Sequence, residues 1–149
     1  MNISKNGINL IKDFEGYNEY VYKDAVGVKT VGWGHTGEEI NKMHLSDTIT
    51  KEQAEEYLRK DLARAEYQVN KYDRYNFNQN QFDALCSFAF NIGNIDQLTA
   101  NGTRTCPEIS AKIPEYCHAG GVKLKGLVNR RAAEKALFDK EVEKDGKDV

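Results

Sequence analysis

Apolar and polar residues follow two different periods along this chain, and the first change of period comes early. Ile8, Ile11 and Phe14 recur at helical spacing, which predicts an amphipathic helix. Ser4 suits its N-cap and Gly16 is a natural stop just after its end. We therefore predict that the chain opens with a helix whose last residue is Glu15.

A pattern with period two follows this helix. Tyr20 and Tyr22 alternate with other residues, as do Val26 and Val28, and Gly27 interrupts the series. Alternation of this kind is typical of strands. The sequence therefore predicts a small twisted sheet, with strands broken at Gly27.

Helical periodicity returns near residue 50. Thr50 and Gln53 have the spacing of a capping box, and one long helix is predicted from there to about Tyr72. Its apolar stripe comprises Ala54, Leu58, Leu62, Ala65 and Val69. Charged residues cover the other faces, so we expect this helix to join two parts of the molecule and to carry no chemistry.

A more apolar helix is predicted from Gln79 to about Ile92, with Asn78 as its cap and Gly93 as its stop. Apolar residues lie almost all round it, so it should be buried. Asn91 is its polar exception, and residue type alone leaves a capping role and a binding role open.

The last third of the chain predicts shorter elements and a final helix. Pro107 can start a short helix, Pro114 must interrupt it, and Gly120 with Gly121 permits a turn. The final helix begins near Gly126 and is expected to turn four apolar residues inward: Leu127, Ala133, Leu137 and Phe138. A charged, frayed tail is predicted for residues 144–149.

Length and composition indicate one domain, residues 1–149, of an ordinary globular type, 40% apolar and 30% charged. No apolar run approaches the ~18 residues of a membrane span, and the N-terminus lacks the features of a secretory signal. We therefore expect no signal peptide, no membrane partner, and a protein that stays in the cytoplasm where it is made unless something else releases it.

Charge and cysteine content limit which partners, metals and cofactors we expect. A net charge of −2 argues against a nucleic-acid partner. Residues 120–149 are mildly positive, with eight basic and six acidic side chains. Cys86 fits a small core residue, and Cys106 and Cys117 are expected to stay reduced. The chain has no C-x-x-C or H-E-x-x-H motif, so we expect no metal and no cofactor.

The residues best suited to catalysis lie where the helical pattern changes to the strand pattern. Glu15 ends the first helix, where a carboxylate opposes the helix dipole, and Asp24 and Thr30 lie on the predicted sheet. Two acids and a hydroxyl thus come from different elements toward one cleft. A lone glutamate of this kind is usually a solvated surface residue, so the spacing gains weight only from its surroundings.

Those surroundings resemble the phage lysozymes of glycoside hydrolase family twenty-four. That family's pattern of Glu, eight residues, Asp, five residues and Thr fits Glu15, Asp24 and Thr30, and the flanking F-E-G-Y, Y-x-D, G-x-x-T-x-G and G-H-T-G also match. The resemblance continues in three further blocks, QFDALCSFAFNIG, A-G-G at 119–121 and KGLVNRRAAEKALF. It covers nearly the whole chain.

The resemblance implies an α+β lysozyme-like fold, in which a long helix joins a small antiparallel sheet lobe to a larger helical lobe across a cleft. It implies a monomeric endolysin that cleaves the β-1,4 bond between N-acetylmuramic acid and N-acetylglucosamine in peptidoglycan, for host lysis. Such a protein would remain in the host cytoplasm until its release to the wall. Glu15 would be the general acid, and Asp24 and Thr30 would hold the attacking water, with inversion of the anomeric carbon.

The same resemblance assigns supporting roles to two residues outside this triad. It places Asn91 in the sugar-binding cleft and pairs Arg130 with Glu15, since only one of the adjacent arginines can readily face the cleft. Gly34 suggests a backbone approached closely by a sugar chain, although tight packing of strands explains it equally well. His35 is expected to pair with an acid on a neighbouring segment.

Two other functions remain open at this point. A chitinase-like enzyme would use the same cleft on a different polymer. A catalytically silent module would bind glycan without cutting it, although all three catalytic residue types are present. A phosphate loop is excluded, because Trp33 and Gly34 follow Gly32 where Lys and Ser or Thr would be required.

Overall fold

A computed structural model describes residues 1–142 of the chain. In order, these residues form α1 (Lys5–Glu15), β1 (Asn18–Lys23), β2 (Lys29–Gly32), α2 (Glu38–Asn41), α3 (Lys51–Asn70), α4 (Gln79–Ile92), α5 (Cys106–Lys112), β3 (His118–Ala119), β4 (Val122–Lys123) and α6 (Lys125–Asp139). Single turns of 3-10 helix occupy Asp73–Tyr75 and Ile113–Glu115. The tail predicted for residues 144–149 lies outside the described residues.

The first lobe is built on the antiparallel pair β1 and β2, in which Tyr22 lies opposite Thr30. A third extended segment runs along the other edge of β1. Val21 donates its N–H to the Asp47 carbonyl at 2.8 Å, and Tyr20 pairs with Thr48. Both edges of β1 therefore carry backbone hydrogen bonds, one edge to β2 and the other to the segment near Asp47.

The prediction that Val26 and Val28 belong to strands is wrong. Both lie in the turn between β1 and β2, and Val26 is 83% exposed. Asp24 causes the difference, because its Oδ1 accepts the backbone N–H groups of Val26 and Val28, each at 2.9 Å. These N–H groups are therefore committed to a side chain and not to a sheet ladder.

The long helix α3 is shared by two hydrophobic cores. Its first half contributes Ala54, Leu58 and Leu62 to the core of the sheet lobe, which also holds Ile11 and Trp33. Its second half contributes two residues to the core of the helical lobe, Ala65 and Val69. The predicted stripe is thus buried along its whole length and joins the lobes. The predicted α+β class, with a long helix between a small sheet lobe and a larger helical lobe, is confirmed.

Helix α4 forms the centre of the helical lobe, as its composition predicts. Both α3 and α4 begin with capping boxes, at Thr50–Gln53 and Asn78–Gln81, and α4 ends at Gly93. Ser4 flanks α1 at its N-cap position, but its side chain does not cap the helix. It contacts Asp83 on α4 instead, with the Ser4 backbone N–H donating to Asp83 Oδ1 at 3.0 Å. This contact docks α1 on α4.

Helix α6 differs from its prediction in what it buries. Phe138 is buried, but the other three residues expected to face inward, Leu127, Ala133 and Leu137, are only partly covered. The remaining buried positions of α6 belong to Arg130, Arg131 and Glu134. Charged side chains can occupy these positions because they pair with one another and with α4, as described below.

Three observations complete the description of residues 1–142. The thiols of Cys86, Cys106 and Cys117 are free, and Cys86 is fully buried. None of the helices in this range has the length and apolar character needed to cross a bilayer. The same residues contain no cluster of three or more His, Cys, Asp or Glu side chains placed to hold a metal ion.

Candidate active site

Glu15 is the last residue of α1, and its position follows from how that helix ends. Gly16 adopts a φ of +70°, which favours glycine, and donates its N–H to the Lys12 carbonyl at 3.0 Å. The chain turns away at this point, so the Glu15 side chain is left at the helix end, only 18% exposed. Arg130 Nη1 donates to Glu15 Oε2 at 2.8 Å and holds the carboxylate from the helical lobe.

Gly34 lies against the other oxygen of this carboxylate. Its φ is +75°, and a Cβ atom built on it would overlap Glu15 Oε1. The group that approaches this glycine is therefore the Glu15 side chain, and binding of a sugar chain at Gly34 stays a prediction. Any side chain at position 34 would displace the carboxylate, in addition to straining the backbone.

Asp24 occupies the turn of the hairpin, between β1 and β2. The two backbone N–H groups that it accepts both contact Oδ1, so they fix the carboxylate without using Oδ2. Thr30 lies nearby on β2 but is only 4% exposed. Its hydroxyl donates to the Val28 carbonyl at 2.9 Å, which leaves the oxygen able to accept a hydrogen bond.

The two acids meet at an open depression of about 340 Å³ between the lobes. Polar and charged side chains supply most of its lining, which comprises Glu15, Asp24, Gly34, Thr36, Asp61, Arg64, Phe90 and Asn91. Four of the seven residues that the sequence singled out are therefore brought together here. Thr30, Arg130 and His35 are not among the lining residues.

A second depression, of about 520 Å³, adjoins the first. Glu15 and Asn91 line both, so these two residues stand at the boundary between them. The rest of the second lining comes from Phe14 and the start of α6, including Leu127 and Arg130. An extended polymer lying in the cleft would thus have room on both sides of Glu15.

His35 lies outside the cleft, in the contact between the sheet lobe and α3. Its Nδ1 is 2.8 Å from Asp61 Oδ2, its Nε2 is 2.8 Å from Glu39 Oε1, and its ring stacks on Tyr57. Burial by itself lowers the pKa of His35, but the hydrogen bonds with Asp61 and Glu39 outweigh that effect and raise it above its ordinary value. The imidazole therefore joins three segments through charge and stacking.

Behind Glu15 lies a buried network that residue patterns did not predict. Arg130 Nε lies 3.3 Å from Glu134 Oε2, and Arg131 Nη2 lies 3.2 Å from the same oxygen. Ser87 on α4 donates its hydroxyl to Glu134 Oε2 at 2.6 Å. Burial raises the pKa of Glu134, against the charges of the two arginines, and burial lowers the pKa of Arg131, against the charge of Glu134.

The spacing of Arg130, Arg131 and Glu134 was the available signal for this network. A glutamate three and four residues after two arginines can meet both on one helix face. The pattern is equally typical of a solvated surface, so the sequence alone did not reveal its burial.

With this geometry established, comparison with known proteins identifies the family. The family model described as phage lysozyme matches residues 12–134. The chain therefore belongs to the phage lysozyme family. The family resemblance inferred from the sequence motifs is confirmed.

Individual relatives agree with this assignment. The endolysin of Bacillus phage PZA is 40% identical in an alignment of 149 positions that covers 93% of this chain and 55% of that protein. Among solved structures, the endolysin from Escherichia coli O157:H7 phage FAHEc1 has a TM-score of 0.82 at 30% identity, covering 97% of this chain and 98% of that one. The muramidase domain of SpmX from Asticaccaulis excentricus has a TM-score of 0.78 at 33% identity, covering 94% and 99%. The chain thus spans little more than half the length of the Bacillus phage endolysin.

Proposed function

We propose that this chain is an endolysin-type muramidase, a glycoside hydrolase that cleaves the β-1,4 bond between N-acetylmuramic acid and N-acetylglucosamine in peptidoglycan during host lysis. The observation that carries the proposal is the convergence of Glu15 and Asp24 on one open depression between the lobes. Glycoside hydrolysis commonly uses two carboxyl groups that flank the scissile bond. Membership of the phage lysozyme family supports the same substrate.

Glu15 would act as the general acid, which protonates the leaving oxygen. Proton transfer of this kind requires a carboxyl group held within hydrogen-bonding distance of that oxygen. The 2.8 Å contact with Arg130 Nη1 and the packing against Gly34 restrict where the carboxylate can go. Both supports therefore favour a fixed position for the acid at the boundary of the two depressions.

Asp24 and Thr30 would handle the attacking water on the other face of the sugar. Asp24 is already fixed through Oδ1, and Thr30 retains an acceptor oxygen on a hydroxyl that donates to Val28. A water held between a carboxylate and a hydroxyl attacks directly, so the anomeric configuration inverts. The first product formed should then be the anomer of opposite configuration to the substrate bond, which proton NMR early in the reaction would detect.

The same proposal extends to sugar binding, oligomeric state and location in the host. Asn91 would bind the sugar chain at the boundary of the two depressions, and no cofactor takes part. The enzyme would act as a monomer, with a mass near 16.9 kDa in analytical ultracentrifugation. It would stay in the host cytoplasm until it is released to the wall, and neither nucleic acid nor membrane would be its substrate.

The test is to digest purified peptidoglycan and identify the sugar at each new reducing end. Borohydride reduction of the products should convert N-acetylmuramic acid, and not N-acetylglucosamine, into its alditol. Chitin incubated in parallel should release far fewer ends. Equal cleavage of chitin would support a chitinase-like enzyme. Cosedimentation with peptidoglycan without new reducing ends would support a glycan-binding module, and either outcome would overturn the proposal.

A further inference from the structure

A chain of polar contacts runs beneath the cleft and joins two of its lining residues. In order, it passes from Glu15 to Arg130, Glu134, Arg131 and Asn91. The two ends, Glu15 and Asn91, line the cleft, whereas Arg131 and Glu134 are 0% exposed. The buried members cannot touch a glycan, so any effect of theirs on the reaction must pass through the ends of the chain.

The guanidinium of Arg131 is held from several sides. Nη2 donates to Asn91 Oδ1 at 2.9 Å and to Glu134 Oε2 at 3.2 Å. Nε lies 2.8 Å from Glu134 Oε1, close enough for charge pairing although not aligned as a hydrogen bond. The Arg131 Cζ atom lies over the ring of Phe88, 4.8 Å from the ring centroid. Because a guanidinium is planar and rigid, these contacts together define one orientation.

This orientation determines which end of the Asn91 amide faces the cleft. An arginine carries only N–H donors, so the atom of Asn91 that it contacts must be the carbonyl oxygen. The other end of the amide, Nδ2, carries two N–H groups. Asn91 is an exposed residue at the boundary of the two depressions, so these N–H groups are the part of the side chain available to a ligand there.

We propose that Arg131 is a positioning residue of this cleft, which holds the Asn91 amide with its N–H groups toward an oxygen of the bound glycan. The inference rests on the proposed function, since it takes a glycan as the ligand. Hydroxyl and acetamido carbonyl oxygens are the acceptors that such a donor would bind. Without Arg131, the amide could turn over and present its carbonyl oxygen to those same acceptors.

The burial of the Arg131–Glu134 pair supports a role of this kind. Buried ion pairs contribute little net stability compared with apolar residues of the same volume, because both charges lose their hydration. An apolar pair at these positions could not orient an amide. The contact with Asn91 is therefore what distinguishes Arg131 from a packing residue.

The first experiment replaces Asn91, because an exposed residue near the end of α4 can be changed without disturbing the core. Asn91→Asp keeps an oxygen for Arg131 but exchanges the two N–H groups for a second oxygen. We expect a melting temperature at or above that of the wild type and a loss of about tenfold in kcat/KM on peptidoglycan fragments. A variant with the kcat/KM of the wild type would overturn the proposal.

The second experiment measures whether Arg131 acts through Asn91. Arg131→Lys keeps a charge opposite Glu134 but loses the planar group that reaches Asn91. We expect kcat/KM to fall severalfold in the wild-type background and to fall no further in an Asn91→Ala background. The matched control is Arg104→Lys, since Arg104 contacts the Leu98 carbonyl at 2.9 Å and lines neither depression. The control should retain wild-type kcat/KM.

The possible results separate the inference from the proposed function. Equal losses from Arg131→Lys in both backgrounds would overturn the positioning role while leaving the enzyme assignment intact. If Arg131→Lys does not fold, wild-type kcat/KM in Asn91→Asp would still overturn the inference, because the amide N–H groups would then not bind the glycan. A wild-type protein that releases no reducing ends from peptidoglycan would instead contradict the proposed function, on which this inference depends.

Discussion

The hydroxyl of Thr30 is the smallest of the proposed catalytic groups and the most enclosed. It lies opposite Tyr22 in the hairpin, 4% exposed, and donates to the Val28 carbonyl at 2.9 Å. Its hydrogen is therefore committed to the protein, and its oxygen can accept from a water. This is the arrangement expected of a group that orients a water, since the hydrogen-bond partner of the hydroxyl within residues 1–142 is a carbonyl and not a base.

Thr30→Val should remove this function while keeping the branched shape of the side chain. We expect a loss of about tenfold to a hundredfold in reducing-end release, because the water would lose one of its two partners. The matched control is Thr48→Val, since Thr48 is exposed in the same lobe and does not line the cleft. A Thr30→Val enzyme as active as the control would remove Thr30 from the mechanism.

His35 gives the protein a defined dependence of stability on pH. Because its pKa is raised in the folded state by Asp61 and Glu39, against the lowering effect of burial, folding strengthens proton binding. This contribution is fully present below about pH 6.5 and is lost as the pH rises through the higher pKa of the folded protein. We expect the free energy of unfolding, measured in urea, to decline over that range, and Asp61→Asn to flatten the decline.

A matched control for this prediction is His44→Gln. The His44 side chain is 92% exposed, so its replacement should leave the pH dependence as steep as in the wild type. The account would be contradicted if stability were constant or increased between about pH 6 and pH 8 in the wild type.

At the scale of single residues, the sequence predicted which side chains could take part in catalysis better than it predicted which side chains are buried. The spacing of Glu15, Asp24 and Thr30 was informative because a family motif surrounds it. Arg131 and Glu134 gave no comparable signal, since charged residues three apart on a helix are ordinary on a surface. Their burial depends on Ser87, Phe88 and Asn91 of α4, which are distant in sequence and adjacent only after folding.

At the scale of elements, the docking of α1 on α4 depends on the absence of a side chain at Gly7. A Cβ there would lie 2.6 Å from Ile3 Cγ1 and 2.8 Å from Asp83 Cβ. Gly7→Ala should gain up to about 1 kcal/mol of helix propensity but lose about 1–3 kcal/mol through overpacking. The net expectation is a lower melting temperature in a thermal denaturation experiment.

Gly126 offers the same substitution without the clash. It lies in the first turn of α6, and, apart from its chain neighbours and the helix backbone, no atom of residues 1–142 lies within 4 Å of a Cβ built there. Gly126→Ala should therefore leave the melting temperature unchanged or raise it. If both alanine variants were equally destabilised, steric contact with Asp83 would not be the reason for glycine at position 7.

The elements themselves were predictable where local signals agree with tertiary packing. The capping box predicted at Thr50 and the cap predicted at Asn78 place the starts of α3 and α4 correctly, because each cap satisfies backbone N–H groups within four residues. The hairpin turn was not predicted correctly, because alternating valines and an Asp-centred turn give competing signals. The side chain of Asp24 decided the outcome, and hydrophobic periodicity does not register that kind of bond.

At the scale of the whole molecule, the two lobes are tied together at several places within residues 1–142, and two of these adjoin the cleft. One is α3, which contributes to both cores. The other is the ion pair between Arg130 on α6 and Glu15 at the end of α1, which are 115 residues apart in sequence. The second tie contains the proposed general acid, so the stability of the lobe contact and the position of the acid depend on the same atoms.

Arg130→Ala should weaken the contact between the lobes and leave the Glu15 carboxylate less firmly positioned. Glu15 would remain partly buried without its partner, and Glu134 would lose one of its two arginines. We expect a loss of about 1–3 kcal/mol in the free energy of unfolding, measured by chemical denaturation, together with reduced activity. Arg59→Ala is the control, because Arg59 forms an exposed pair with Glu56 and should cost less than about 1 kcal/mol. Equal stability of Arg130→Ala and Arg59→Ala would show that the ion pair between Arg130 and Glu15 does not hold the lobes together.

The central claim is that Glu15 supplies the proton for cleavage of peptidoglycan, and one substitution tests it most directly. Glu15→Gln keeps the size of the side chain and removes the ionisable proton. Turnover would be measured as reducing ends released per minute, with circular dichroism to verify the fold. The control is Glu55→Gln, since Glu55 pairs with Lys12 at 3.2 Å and does not line the cleft.

We predict that Glu15→Gln loses at least about a hundredfold in turnover while remaining folded, and that Glu55→Gln stays near the wild type. A folded Glu15→Gln protein that turns over peptidoglycan at close to the wild-type rate would contradict the account.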